Sequence, residues 1–110
     1  MAEESREITS YKLSRMTNYA NVRGVIWLFS GNEAFARLEF RATSVPKKLK
    51  VQDYGGGKEV LWVYYPIEAF ADVVDILRNE KPVYLTYEKT SGYARIETGD
   101  EPTGEGESST

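Results

Sequence analysis

The side chains best suited to binding chemistry in this sequence are aromatic rings that lie close to lysines and arginines. Three rings fall within the stretch "LWVYY", at Trp62, Tyr64 and Tyr65. Proteins that bind single-stranded nucleic acid use this combination, because rings stack on bases and cations contact the phosphate backbone. The cations that could serve in this way are Arg37, Arg41, Lys47, Lys48 and Lys50.

The residue types needed for most enzymatic chemistry are missing. The chain of 110 residues has no His and no Cys, which excludes an imidazole base, a thiolate nucleophile and an ordinary zinc site. We therefore predict a protein that is not an enzyme, with no catalytic residues, no cofactor and no metal ligands. The segment "GGGK" at 55–58 lacks the Ser or Thr that a phosphate-binding loop places after its lysine, and we interpret it as a hairpin loop.

The charge is unevenly distributed along the chain. The net charge is −3, yet residues 8–98 carry 13 basic and 10 acidic side chains. The remaining acidic groups lie in the two ends, which we predict to be a flexible segment over residues 1–7 and a disordered tail over residues 99–110. A mildly basic body is compatible with a polyanionic partner, although it is well short of the balance that would by itself indicate one.

Period-two patterns predict most of the secondary structure. Two strands flank Gly31-Asn32, a dipeptide suited to a tight primed turn. If Ser30 lies opposite Glu33, then Trp27 lies opposite Ala36 and points into the core. A second hairpin, with "DYGGG" as its loop, has two plausible registers. Trp62 faces Leu49 and is buried in one register, whereas in the other it faces Lys50 on an exposed face, with Lys48 beside Tyr64.

The period changes after the second hairpin. Apolar residues at helical spacing predict one amphipathic helix over about 66–79, with a stripe formed by Ile67, Phe70, Ala71, Val74 and Leu77. A last hairpin follows, in which a four-residue loop at 89–92 places Leu85 opposite Ile96. The opening "ITSYKLSRM" predicts a further strand. These elements give an α+β domain, with a mostly antiparallel, curved sheet built from hairpins and the helix packed on one face.

For function, the sequence predicts a small soluble binding or association domain in the cytoplasm, with no membrane segment. Because one helix covers only one face of the sheet, we expect the other face, including Trp62 or Tyr65, to be buried in a homodimer. The alternative is a module that binds single-stranded nucleic acid through an aromatic and basic sheet face. A small-molecule site between sheet and helix, with Tyr64 and Tyr65 as its candidate residues, is the third choice.

Overall fold

The computed structural model describes residues 2–17 and 21–100, and within them the predicted α+β class is confirmed. A short 3-10 turn at Ile67–Ala69 leads into the single α-helix, α1, at Phe70–Asn79. The strands are β1 (Glu4–Ile8), β2 (Ser10–Arg15), β3 (Val22–Ser30), β4 (Glu33–Arg41), β5 (Lys50–Asp53), β6 (Glu59–Pro66), β7 (Val83–Glu88) and β8 (Tyr93–Thr98).

These strands form two sheets. The larger has the order β2-β3-β4-β6-β5, and the smaller has the order β1-β7-β8. All pairings are antiparallel except that between β4 and β6. The chain passes from one sheet to the other at Thr9, whose backbone N–H donates to the Phe29 carbonyl over 2.8 Å while its hydroxyl accepts from the Gly31 N–H. Residues 4–7, which the sequence analysis placed in a flexible segment, therefore lie in a paired strand; residues 101–110 of the predicted tail lie outside the described residues.

The first hairpin contains a β-bulge that the sequence analysis did not predict. Its turn is as expected, with Ser30 opposite Glu33 and Gly31 at a φ of +63°. Beyond the turn the register shifts by one residue between Leu28 and Phe29, and Phe35 becomes the extra residue. A bulge reverses the facing of every later pair. The prediction that Trp27 lies in the core is therefore wrong, since Trp27 is paired with Arg37.

The bulge directs the best apolar residues of the hairpin to one side. Ile26 and Leu28 are fully buried opposite Leu38 and Ala36, which are also fully buried. We call this side of the larger sheet the core face and the opposite side the outer face. Phe35 also enters the apolar core, so the extra residue gains burial instead of pointing into solvent.

The other two hairpins test a predicted register and decide between two alternatives that the sequence left open. In the last one, Leu85 lies opposite Ile96, as predicted. In the second, Lys50 lies opposite Trp62 and Val51 opposite Leu61, so the register that places Trp62 beside Lys50 is the one observed. Lys48 does not pair with Tyr64, because β5 begins only at Lys50.

The helix packs on the core face, as predicted. The Phe70 ring meets the Phe40 ring edge-on with centroids 5.0 Å apart, and Val73 and Leu77 are buried. Ala71 was assigned to the apolar stripe but is exposed. The α1 residues, the core face and the inner side of the smaller sheet meet in one apolar cluster. Among the described residues, no helix has the length and apolar character needed to cross a membrane.

Candidate functional site

The outer face carries a row of alternating cations and rings that crosses all five strands of the larger sheet. Strand pairing aligns Lys12 with Trp27, Trp27 with Arg37, and Arg37 with Trp62. Trp62 is aligned in turn with Lys50. We call Lys12, Trp27, Arg37, Trp62 and Lys50 the cation–aromatic row. Four strand spacings of about 4.8 Å give it a length of roughly 19 Å.

The centre of this row is a stacked arrangement around one guanidinium. The Arg37 Cζ atom lies 4.3 Å from the centroid of the Trp62 ring and 5.9 Å from that of the Trp27 ring. Lys50 Nζ lies 5.8 Å from the Trp62 centroid. Cations at these distances are attracted to the electron-rich faces of indole rings. Both Trp residues are half-buried as a result, while Lys12 and Lys50 at the ends of the row are exposed.

A buried carboxylate lies beside the row. The Glu39 side chain is only 4% exposed and accepts hydrogen bonds from Arg37 Nη1 and, over 2.6 Å, from Arg41 Nε. Burial alone would raise the pKa of Glu39, but the hydrogen bonds and charges of the two arginines outweigh it and hold the pKa below its ordinary value of 4.5. Glu39 is therefore ionised at neutral pH and fixes both arginines on the outer face.

Tyr64 extends the outer face next to the row. It is aligned with Glu39 across the parallel pair of strands, and the Arg41 Cζ atom lies 5.3 Å from its ring centroid. Burial first, and then the Glu39 charge, raise the pKa of the Tyr64 phenol. The hydroxyl therefore stays protonated at neutral pH.

The structure brings together some of the predicted site residues and separates others. Trp62, Tyr64, Arg37, Arg41 and Lys50 share the outer face. Tyr65 lies on the opposite side, the core face. Its ring stacks there on the Phe40 ring, with the two centroids 5.3 Å apart.

Lys47 and Lys48 are exposed in the connection before β5 and belong to no strand pair. The adjacent Leu49 N–H donates to the Gly92 carbonyl over 2.9 Å, and a side chain at Gly92 would collide with Lys48. This connection is therefore held against the loop between β7 and β8, and its two lysines are not part of the row.

Three residues of the outer face were missed by sequence reasoning. Trp27 was assigned to the core, and Lys12 and Glu39 were not considered as site residues. The signal for Trp27 was the charge pattern of β4, where Arg37, Glu39 and Arg41 alternate with Leu38 and Phe40. Trp27 is a suitable partner for Arg37 in such a pattern, because a large ring with a polar N–H suits a position beside a cation better than Ile or Leu does.

A separate cavity of about 680 Å³ lies between the end of α1 and the corner joining β1 to β2. Ile8, Leu77 and Val83 supply apolar walls, and the charged side chains around it are all exposed. Neither Tyr64 nor Tyr65 is among its lining residues. The two tyrosines considered for a site between sheet and helix therefore do not lie at this cavity.

Comparisons with protein-family models, with curated proteins and with solved structures find no match for this chain. Its function is therefore inferred from the geometry of the outer face.

Proposed function

We propose that the outer face binds single-stranded nucleic acid. The observation that carries this proposal is the cation–aromatic row, in which each of five neighbouring strands contributes one ring or one cation at the same level. Sheets that bind single strands place aromatic rings on their surface for base stacking and cations nearby for the backbone.

The charge of the outer face supports a polyanionic ligand. Its paired rows hold four cations, Lys12, Arg37, Arg41 and Lys50, against the single carboxylate of Glu39. The whole chain has the opposite sign, at −3. A positive face on an acidic protein attracts phosphates locally while the overall charge limits indiscriminate binding.

The shape of this face favours a single strand over a duplex. The rings lie within the row and are flanked by cations. A base can stack on such a ring only if the face of the base is itself free. Bases in a duplex are already stacked on each other, and duplex recognition relies instead on an element that enters a groove. The helix α1 cannot provide that element here because it is packed on the core face.

The same charges argue against the outer face as the interface of a homodimer. A twofold interface would bring two net-positive faces together, and like charges at an interface oppose association. Light scattering at tens of micromolar measures the oligomeric state, and we expect a monomeric mass in the absence of ligand.

Fluorescence anisotropy with a labelled thymidine oligonucleotide of about 12 residues, a length within the usual range for small single-strand binders, tests the proposal. We expect Trp62→Ala to weaken binding by about five- to 160-fold, the effect of losing about 1–3 kcal/mol of base stacking. Trp62→Phe, which keeps a ring, should retain most of the affinity.

The matched control is Tyr93→Ala. Tyr93 is also an exposed ring beside a cation, with Arg95 Cζ 5.6 Å from its centroid, but it lies on the smaller sheet. Binding should be unchanged in this variant. The proposed function would be contradicted if the wild type does not bind the oligonucleotide. It would also be contradicted if Trp62→Ala and Tyr93→Ala weaken binding equally.

A further inference from the structure

Arg37 and the two lysines of the cation–aromatic row differ in how their charges are engaged. The Arg37 guanidinium is paired with the buried Glu39 and lies close to both indole rings. Only 16% of its side chain is exposed. Its charge is therefore neutralised within the protein. What Arg37 contributes to the outer face is the flat guanidinium group between the rings.

Lys12 and Lys50 are in the opposite situation. Both side chains belong to exposed residues, on the two edge strands of the larger sheet. Among residues 2–17 and 21–100, no carboxylate lies within ion-pair distance of either ammonium group. An ammonium group with no carboxylate partner is free to neutralise a phosphate, which releases a counterion condensed on the nucleic acid.

Building on the proposed function, we infer that the nucleic acid crosses the strands of the sheet, with its bases stacked over Trp27, Arg37 and Trp62 and its phosphates held by Lys12 and Lys50. The row's length of roughly 19 Å is suited to two or three stacked bases, the number that a four-stranded sheet accommodates in a common RNA-binding domain. Arg37 lies over the faces of both indoles, so a base that stacks beside either ring also meets the guanidinium, whose plane stacks on bases as aromatic rings do.

Glu39 is a positioning residue in this arrangement. It is enclosed on the outer face and touches the ligand only through the arginines that it holds. By pairing with Arg37 it keeps the guanidinium in the row instead of letting it swing out to a phosphate. In this arrangement the Glu39 carboxylate keeps Arg37 away from the phosphates, so that the lysines contact the nucleic-acid backbone.

The dependence of affinity on salt separates these roles, because each phosphate contact to a single strand contributes about −0.7 to the slope of log K against log salt. We expect Lys12→Ala and Lys50→Ala each to make the slope shallower by about 0.7. Arg37→Lys keeps the charge but loses the plane, so it should weaken binding about tenfold, by the stacking of one base, with little change of slope. Arg78→Ala on α1 removes one charge away from the outer face and should change neither quantity.

Glu39→Gln tests the positioning role with a readout that simple destabilisation would not produce. Releasing the two arginines should make the slope steeper, since they gain access to phosphates. Thermal melts of each variant, with circular dichroism at the titration temperature, establish that it is folded. A folded Arg37→Lys variant that binds as tightly as the wild type would overturn the inference, as would lysine variants with the wild-type slope. If the wild type binds no oligonucleotide, the proposed function fails with it; if it binds with another slope pattern, only the assignment of roles fails.

Discussion

The two faces of the larger sheet use the same strands for opposite purposes. On the core face, Ile26, Leu38 and Val63 are aligned across three strands and are at most 6% exposed. Each of them is adjacent in its strand to a member of the cation–aromatic row. Those members are Trp27 on β3, Arg37 on β4 and Trp62 on β6. A shift of one residue therefore separates a dry apolar row from a row of rings and charges, because successive side chains of a strand point to opposite faces.

This contrast shows how the fold can bear a binding surface without losing its core. Packing of the helix and the smaller sheet on the core face removes the apolar side chains from water, which supplies most of the stability. The outer face buries fewer apolar side chains, of which Val25 beside Glu39 is one. Its charges remain close to solvent or paired, as Arg37 is with Glu39. Substitutions on the core face should therefore act mainly on unfolding, whereas substitutions of the rings and lysines of the outer face should act mainly on binding.

The largest expected effect is a difference in stability between alanine variants of two leucines that lie in one aligned row. Leu38 is fully buried, whereas Leu13, at the end of the same row on edge strand β2, is 41% exposed. Leu38→Ala should lower the free energy of unfolding by about 2–5 kcal/mol, and Leu13→Ala by clearly less. Urea denaturation measures both, and equal losses would show that the core face has been wrongly assigned.

A second prediction concerns the contact between the core face and the helix. A Cβ atom at Gly24 would come within 2.7 Å of the Phe70 ring, so Gly24→Ala should destabilise the fold by about 1–3 kcal/mol through overpacking. Phe70→Leu removes the clashing ring atoms. In a double-mutant cycle followed by urea denaturation, the two substitutions together should cost less than the sum of the single costs. Additive costs would indicate that the ring is not against Gly24.

A third prediction uses pH to compare a buried ion pair with an exposed one. Because the pKa of Glu39 is lower in the folded state than its ordinary 4.5, the ionised carboxylate stabilises the fold above about pH 4.5 and loses this effect as pH falls through the folded-state value. Glu39→Gln should therefore have a lower melting temperature at neutral pH and a shallower decline in acid.

Glu33 provides the comparison for this measurement. The hydrogen bond and charge of Arg6 lower its pKa too, but both side chains are exposed. Solvent screens such a pair, so Glu33→Gln should change the acid decline of the melting temperature much less. Identical pH profiles for the two variants would contradict the special role of the buried carboxylate.

The smallest effect is expected at the exposed pair of Lys89 and Glu59, whose charged atoms lie 3.0 Å apart. Pairs in solvent contribute about 0–1 kcal/mol, and this one lies away from the outer face. Lys89→Ala should thus leave both the urea midpoint and oligonucleotide binding close to those of the wild type. A large loss of affinity would extend the binding surface to the end of the sheet near Glu59.

Local patterns in the sequence were enough for the elements whose pairing is local. The helix, the turn at Gly31 and the register of Leu85 with Ile96 follow from periodicity and loop length. The parallel pairing of β4 with β6 and the pairing of β1 with β7 join distant segments. Periodicity does not specify which distant strand a strand will choose, so neither pairing was predicted.

The candidate site was only half predictable for a related reason. Its members on β4, β5 and β6 were recognised, but the bulge at Phe35 decides which side of β3 faces outward. No turn residue marks that bulge in the sequence, and the extra residue is accommodated because the Phe35 ring finds space in the core. Trp27 therefore joins Arg37 through a tertiary packing preference that a strand-by-strand analysis does not contain.

The most direct test of the account is a titration with the thymidine oligonucleotide, followed by proton–nitrogen correlation spectra of the labelled protein. The chain has two tryptophans, and both lie in the cation–aromatic row. Their indole N–H signals therefore report on the surroundings of the row, with the Trp62 N–H enclosed beneath its surface. We predict that both indole signals shift with oligonucleotide concentration, together with backbone amides on the outer face, while the amides of β7 and β8 remain in place. Unchanged indole signals, or shifts confined to the smaller sheet, would contradict the claim that the outer face binds nucleic acid.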